Sequence, residues 1–200
     1  MAITTIDLLR HGESVGGRKY RGQQDDPLTE KGWNQMTAAV GDQCPWDVIV
    51  SSSLSRCIDF AEALAQRHAI PLESCDQLKE IGFGEWEGQT ARELTRKDPE
   101  ILLKFWADPE NNVPPGAEPL ADFCDRVIGV WDEIIDRYKN KHILVVGHAG
   151  VIRMILRHVL EMPLANTYRI KIPGAGLSRI CLSEAGDKVF PQLIFHGASL

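Results

Sequence analysis

The chain has 200 residues, 44% of them hydrophobic and 25% charged, with a formal net charge of −6. That length suits one domain over 1–200 with a core of useful size. The acidic balance argues against a general nucleic-acid binder, which would carry a basic face, and it requires any anion site to be a local cluster of cations.

Taken in order, short apolar strands alternate with helices. "ITTIDLL" (3–9) reads as a strand. "LTEKGWNQMTAAVGDQC" (28–44) has helix-spaced Leu28, Trp33, Met36 and Val40, weakened by Gly32. "DVIVSS" (47–52) is a buried-type strand and "SLSRCIDFAEALAQRH" (53–68) an amphipathic helix. Residues 82–119 differ: "GFGEWEG", two short helices near 90–98 and 99–107, and the turn-rich "NNVPPGAEP" read as an insertion over one end of the sheet. A long helix over 118–140 leads to the strand "HILVVGH" (142–148) and the helix "GVIRMILRHVL" (150–160). In the tail, "YRIKIP", "LSRICLS" and "VFPQLIF" read as late, antiparallel edge strands. The expected fold is a three-layer α/β/α sandwich around a mostly parallel sheet.

The five cysteines (Cys44, Cys57, Cys75, Cys124 and Cys181) are odd in number and lack C-x-x-C spacing, so reduced thiols are expected and not a disulfide framework. "MAITTIDLL" has no basic region or long apolar run of a signal sequence, and no segment approaches the ~20 apolar residues of a membrane span. A cytoplasmic protein without membrane or nucleic-acid partners is expected.

Three strands deliver cationic-type residues to their ends: Arg10 and His11 after the first, Arg56 four residues past the second, His148 after the "ILVVG" strand. Ligands of open α/β sheets sit at the carboxyl ends of strands. Arginine forks suit phosphate oxygens, and the first free N–H groups of the helix after His148, Ala149 included, favour an anion. A phosphoryl group fits best. Two arginines beside His11 would keep its imidazole neutral and nucleophilic. The leaving alkoxide needs an acid. Glu80, Glu85 and Glu87 of "EIGFGEWEG", and Glu13 beside His11, all remain open for it on these grounds. Trp33 and Trp131 read as core. Trp86, Phe83 and Trp106 either line a pocket for an aromatic group or pack the insertion.

"LLRHGES", "DDPLTEKG", "SSSLSRC", "EIGFGEWEG" and "VVGHAG" together resemble, in order, the motifs of the histidine phosphatase (phosphoglycerate-mutase-like) family. The resemblance implies that His11 is the nucleophile that becomes phosphohistidine, that Arg10, Arg56 and His148 bind the phosphoryl group, and that Glu80 is the acid and then the base. It implies no metal and no cofactor, a small phosphorylated metabolite as ligand, and a homodimer in many members. Many members carry Asn six residues after the nucleophile. Here Gly17 stands there, and Arg21 is the candidate substitute. "GGRKYRGQQDDPLTEKGWNQM" and "PPGAEPLADFCDRV" are most similar to the α-ribazole-5′-phosphate phosphatases of cobalamin biosynthesis, with Ala117 and Pro119 departing from the usual phrase. A broad-specificity or sugar-bisphosphate phosphatase, a cofactor-dependent phosphoglycerate mutase, and a non-catalytic phospho-ligand-binding module are the alternatives.

Overall fold

A computed structural model of the chain describes residues 3–42, 44–185 and 188–199. Among the described residues six strands form one sheet: β1 (Ile3–Arg10), β2 (Val48–Ser52), β3 (Leu72–Cys75), β4 (His142–Gly147), β5 (Leu177–Ala185) and β6 (Lys188–Ala198). Their spatial order is β3-β2-β4-β1-β5-β6. The first four run parallel, and β5 and β6 add as an antiparallel pair on the β1 side. The helices are α1 (Glu30–Val40), α2 (Ser55–His68), α3 (Ala91–Lys97), α4 (Ile101–Ala107), α5 (Leu120–Arg137) and α6 (Ala149–Val159). Among the described residues, no helix is long and apolar enough to cross a membrane. All five cysteines are unpaired.

Strand alternation divides the core between the two faces. Ile6, Leu8, Val50, Ile143 and Val145 pack on α5 and α6 through Phe123, Val127 and Ile152. Leu9, Ile49, Leu144 and Val146 face α1 and α2 through Met36, Phe60 and Leu64. This is the expected three-layer α/β/α fold. Trp131 is buried in the first core, and Trp33 is half-buried against Phe60. The segment 82–119 packs its own apolar cluster of Trp86, Leu94, Leu102 and Phe105, joined to the main body by Phe83. Trp86 is therefore packing, while Trp106 is exposed.

Asp7 sits in the middle of the first strand with no exposed surface. Burial alone pushes its carboxyl up, but hydrogen bonds from Arg179, His142 and Trp46 outweigh this and hold it below the usual range. Arg179 grips both oxygens, at 2.8 and 2.9 Å.

One expectation for the chain's path fails for a local reason. "YRIKIP" is not a strand: a 3-10 turn spans Leu164–Arg169 and extended chain follows outside the sheet. Arg153 and Arg10 take the carbonyls of Ile170 and Ile172, so side chains occupy acceptors that a ladder would need. The four-residue strand β3, "LESC", was not foreseen because it is short and half polar.

Gly32, a weak point for a helix, has a packing reason. A Cβ there would lie 2.0 Å from the Glu13 carbonyl oxygen, and one on Gly12 would lie 2.2 Å from the Gly32 carbonyl oxygen. The loop after β1 crosses α1 backbone to backbone, so Gly12 serves this crossing. Gly32→Ala is expected to destabilise the fold by about 2–4 kcal/mol despite alanine's better helix propensity. Urea midpoints of the two proteins check this, and a stabilised variant would contradict the crossing.

Candidate active site

The sheet order explains how residues far apart in sequence meet. β4 lies between β2 and β1. Its register sets Arg10 level with Gly147 and Ser51 level with Val146. The chain turns out of these three strands therefore stand side by side, carrying Arg10-His11, Ser52 with Arg56, and His148.

His11 is buried, and its Nδ1 lies 2.8 Å from the Gly12 carbonyl oxygen. A carbonyl only accepts, so Nδ1 carries the proton and the neutral ring keeps its lone pair on Nε2. Burial, and then the charges of Arg10 and Arg56, push His11 well below its ordinary value. The His148 ring stands 5.3 Å away, edge-on and fully buried, and is pushed down by burial and then by Arg56.

Arg56 is the largest fully buried side chain among the described residues. Its terminal nitrogens donate to the carbonyls of Gln24 at 2.7 Å and Gly22 at 2.8 Å, and its Nε to His148 Nδ1 at 3.3 Å. These contacts use three of the five N–H donors of the guanidinium. Arg10 donates to the Ile172 carbonyl at 2.6 Å, while its buried Nε has no partner among the described residues.

Glu80 is buried just before the segment 82–119. Its carboxylate accepts from the Gly150 N–H at 3.0 and 3.1 Å and from the Ile81 N–H at 3.1 Å. It thus sits at the amino end of α6, one residue past buried Ala149. The rivals stand elsewhere. Glu87 accepts from the Gln23 and Phe83 N–H groups, Glu85 is exposed, and exposed Glu13 pairs with Lys31 at 2.9 Å. Arg21 pairs with Asp26 at 3.0 Å and donates to the carbonyls of Ser14, Val15 and Gly17. It clamps this turn, in which Gly16 and Gly17 have φ of 82° and 72°, the left-handed region that favours glycine.

Sequence reasoning missed Ser52, whose Oγ lies 2.8 Å from His148 Nε2. The repeated serines of "SSSLSRC" were the available signal. It also missed Cys57, whose Sγ donates to the Gly147 carbonyl and lies 3.6 Å from the same nitrogen. Burial pushes the Cys57 thiol far up, so it packs as a neutral group. No three His, Cys, Asp or Glu side chains among the described residues gather as a metal-ion site.

The two depressed histidines set a pH dependence. In the unfolded chain each takes up a proton below about pH 6.5, while the folded site resists it. Their contribution to stability is therefore complete above that pH and is lost as pH falls toward the folded values. Below pH 6.5 the loss approaches about 1.4 kcal/mol per pH unit for each histidine. Urea melts between pH 7.5 and 5.5 should show this slope, and His11→Asn should remove about half of it.

Residues 6–190 match the model of the Histidine phosphatase superfamily (branch 1). The chain is 37% identical over 180 residues to the Bifunctional protein Rv2228c of Mycobacterium tuberculosis (strain ATCC 25618 / H37Rv), covering 88% of this chain and 49% of that protein. It thus spans about half the length of the first relatives it matches. It is 30% identical over 182 residues to the Adenosylcobalamin/alpha-ribazole phosphatase of Salmonella typhimurium, covering 88% of this chain and 90% of that one. Among solved structures it is similar to the mycobacterial glucosyl-3-phosphoglycerate phosphatase Rv2419c, with a TM-score of 0.86, 25% identity and coverage of 98% and 100%. With its family model matched over nearly the whole length, this α/β chain belongs to the histidine phosphatase superfamily, branch 1.

Proposed function

We propose that the chain is a metal-independent phosphomonoesterase that works through a phosphohistidine intermediate. The observation that carries this reading is the buried His11, with its proton fixed on Nδ1 by the Gly12 carbonyl, between Arg10 and Arg56. The Nε2 lone pair attacks phosphorus, and the bond from phosphorus to the ester oxygen breaks. Glu80 gives a proton to the departing oxygen. A water then attacks the phosphohistidine and loses its proton to Glu80. The N–P bond breaks, and its electron pair returns to Nε2.

Arg10, the two remaining donors of Arg56 and the Ala149 N–H neutralise the phosphoryl oxygens. His148 joins them through Nδ1. Its contact with Arg56, at 3.3 Å, is long for a hydrogen bond. Ser52 can donate to Nε2 as readily as accept from it, which moves the ring proton to Nδ1 beside an anion. Arg21 acts at one remove, by holding the turn at Gly17.

Two substrates come from the relatives' names. One is α-ribazole phosphate, which the similarity of "GGRKYRGQQDDPLTEKG" also supports and whose alcohol half is uncharged. The other is a glycerate phosphate, whose alcohol half is acidic. Phosphate release from p-nitrophenyl phosphate with EDTA present tests the class of reaction. A strict metal requirement, or no release from any monoester, would count against it.

A further inference from the structure

We infer that Glu118 and Arg126 are positioning residues for the Glu80 carboxyl group: together they grip the backbone on both sides of Glu80 and so fix where its proton is given and taken. This rests on the reading of Glu80 as acid and base and deepens it.

The segment that carries Glu80 has little regular structure to hold it. Strand β3 ends at Cys75, a 3-10 turn covers Asp76–Leu78, and residues 79–83 belong to neither helix nor strand. The carbonyls of Gln77, Lys79 and Glu80 lie outside the sheet and need partners from elsewhere. Arg126 takes all three. Its Nη1 donates to Gln77 and, at 2.9 Å, to Lys79, and its Nη2 donates to Glu80 at 3.2 Å. The remaining donors, on Nε and Nη2, go to the Glu118 carboxylate at 2.6 and 2.9 Å. Every N–H of the guanidinium is thus committed to this contact. The Lys79 and Glu80 carbonyls belong to the two peptide groups that flank the Glu80 Cα. Peptide groups are planar, so holding both fixes the backbone torsions of that residue and the direction of its side chain.

Glu118 closes the clamp from the other side. Its carboxylate also accepts from the Gly82 N–H at 3.2 Å, and its own N–H donates to the Gly82 carbonyl at 2.9 Å. Both partners come from "PPGAEPLADFCDRV": Glu118 precedes α5 and Arg126 lies on it. Helical side chains lean toward the amino end of their helix, so Arg126 reaches back to Glu118 and the loop beyond. The guanidinium lies 4.7 Å from the centre of the Phe123 ring, one turn earlier on α5. Phe123 is fully buried beside Gly150, whose N–H holds the Glu80 carboxylate.

An ion pair that served the fold alone could grip any part of this loop. This one grips the peptide groups before and after the acid. Among the described residues the Glu80 carboxylate itself is held by the backbone N–H groups of Ile81 and Gly150 and by no side chain. Its position therefore follows from its backbone and from the clamp on that backbone. A misplacement of about 1 Å at a reacting group can cost ~10²-fold in rate.

The test compares phenyl phosphate with p-nitrophenyl phosphate in one protein. The two esters share a ring, and phenolate is the poorer leaving group, so its departure depends more on a proton from Glu80. The ratio of their kcat/KM values covers the steps up to phosphorylation of His11 and is insensitive to the fraction folded. Arg126→Met should shift that ratio about tenfold toward p-nitrophenyl phosphate, and Glu80→Gln should shift it further in the same direction. Arg126→Lys keeps the charge and part of the donor set, so it should shift the ratio less than Arg126→Met. Should Arg126→Met fail to fold, Glu118→Gln reads the same ratio, with an expected shift of about threefold. Combined with Glu80→Gln, either change should add nothing, because both act through one carboxyl group. An unmoved ratio in Arg126→Met or Glu118→Gln, or shifts that multiply in the double variant, would overturn the inference. A ratio that moves in Glu80→Gln but not in the clamp variants refutes the clamp alone. A ratio unmoved in Glu80→Gln refutes the acid itself and takes this inference with it.

Discussion

His11→Ala should lower turnover on every phosphomonoester by roughly 10⁴-fold or more, ~5.5 kcal/mol in the barrier, and should abolish the acid-labile, base-stable phosphoprotein formed in rapid-quench labelling. Under the proposed mechanism three features make this residue irreplaceable. Nδ1–H is held by the Gly12 carbonyl at 2.8 Å, so only Nε2 can attack. Burial and the charges of Arg10 and Arg56 keep the ring unprotonated well below neutrality. The other imidazole of the site, His148, has Nε2 against Ser52 and cannot take over from its place 5.3 Å away. His11→Asn is the companion variant because its side-chain amide can still donate to the Gly12 carbonyl and spare the fold. Should either variant retain near-normal activity with labelled phosphate on the protein, the nucleophile is another residue.

The depressed state of His11 also governs the pH profile. A nucleophile titrating at its ordinary value would give kcat/KM an acid limb near pH 6.5. With the folded value well below that, the His11 ring is already neutral through the mildly acidic range, so no limb should appear there on its account.

Much of this site was readable in the chain because parallel α/β sheets collect their strand ends along one edge. Arg10, His11 and His148 directly follow apolar runs, and Arg56 falls in the first turn of a clearly amphipathic helix, so their meeting followed from the pattern. Contacts without periodicity were not readable. The Gly12–Gly32 crossing depends on how closely two backbones approach, and composition reports Gly32 only as a poor helix former. Ser52 became significant once the β2–β4 register set it beside His148. "YRIKIP" has the look of a strand, yet the arginines that take its carbonyls come from β1 and α6, far away in sequence. Composition left Glu80, Glu85 and Glu87 open, the family resemblance named Glu80, and Glu80 is the carboxylate that reaches α6.

Glu80→Gln should slow reactions according to their leaving groups. The isosteric amide can still accept from the Gly150 N–H at the amino end of α6, so the fold should survive. It cannot supply a proton to a departing alkoxide. p-Nitrophenolate leaves readily without one, while an alkyl alkoxide does not. The loss in kcat/KM should therefore be about 10²–10⁴-fold for alkyl phosphates and far smaller for p-nitrophenyl phosphate. Gly150 supplies an independent handle on the same group. A Cβ there would lie 2.2 Å from Glu80 Oε1, so Gly150→Ala must push the carboxylate off the helix end while leaving its chemistry intact. It should reproduce the leaving-group dependence of Glu80→Gln in weaker form, and the double variant should be little worse than Glu80→Gln alone, because both changes act through one carboxylate. Equal losses for alkyl and nitrophenyl esters in Glu80→Gln would show that the proton comes from elsewhere. Additive losses in the double variant would show that Gly150 acts on something other than Glu80.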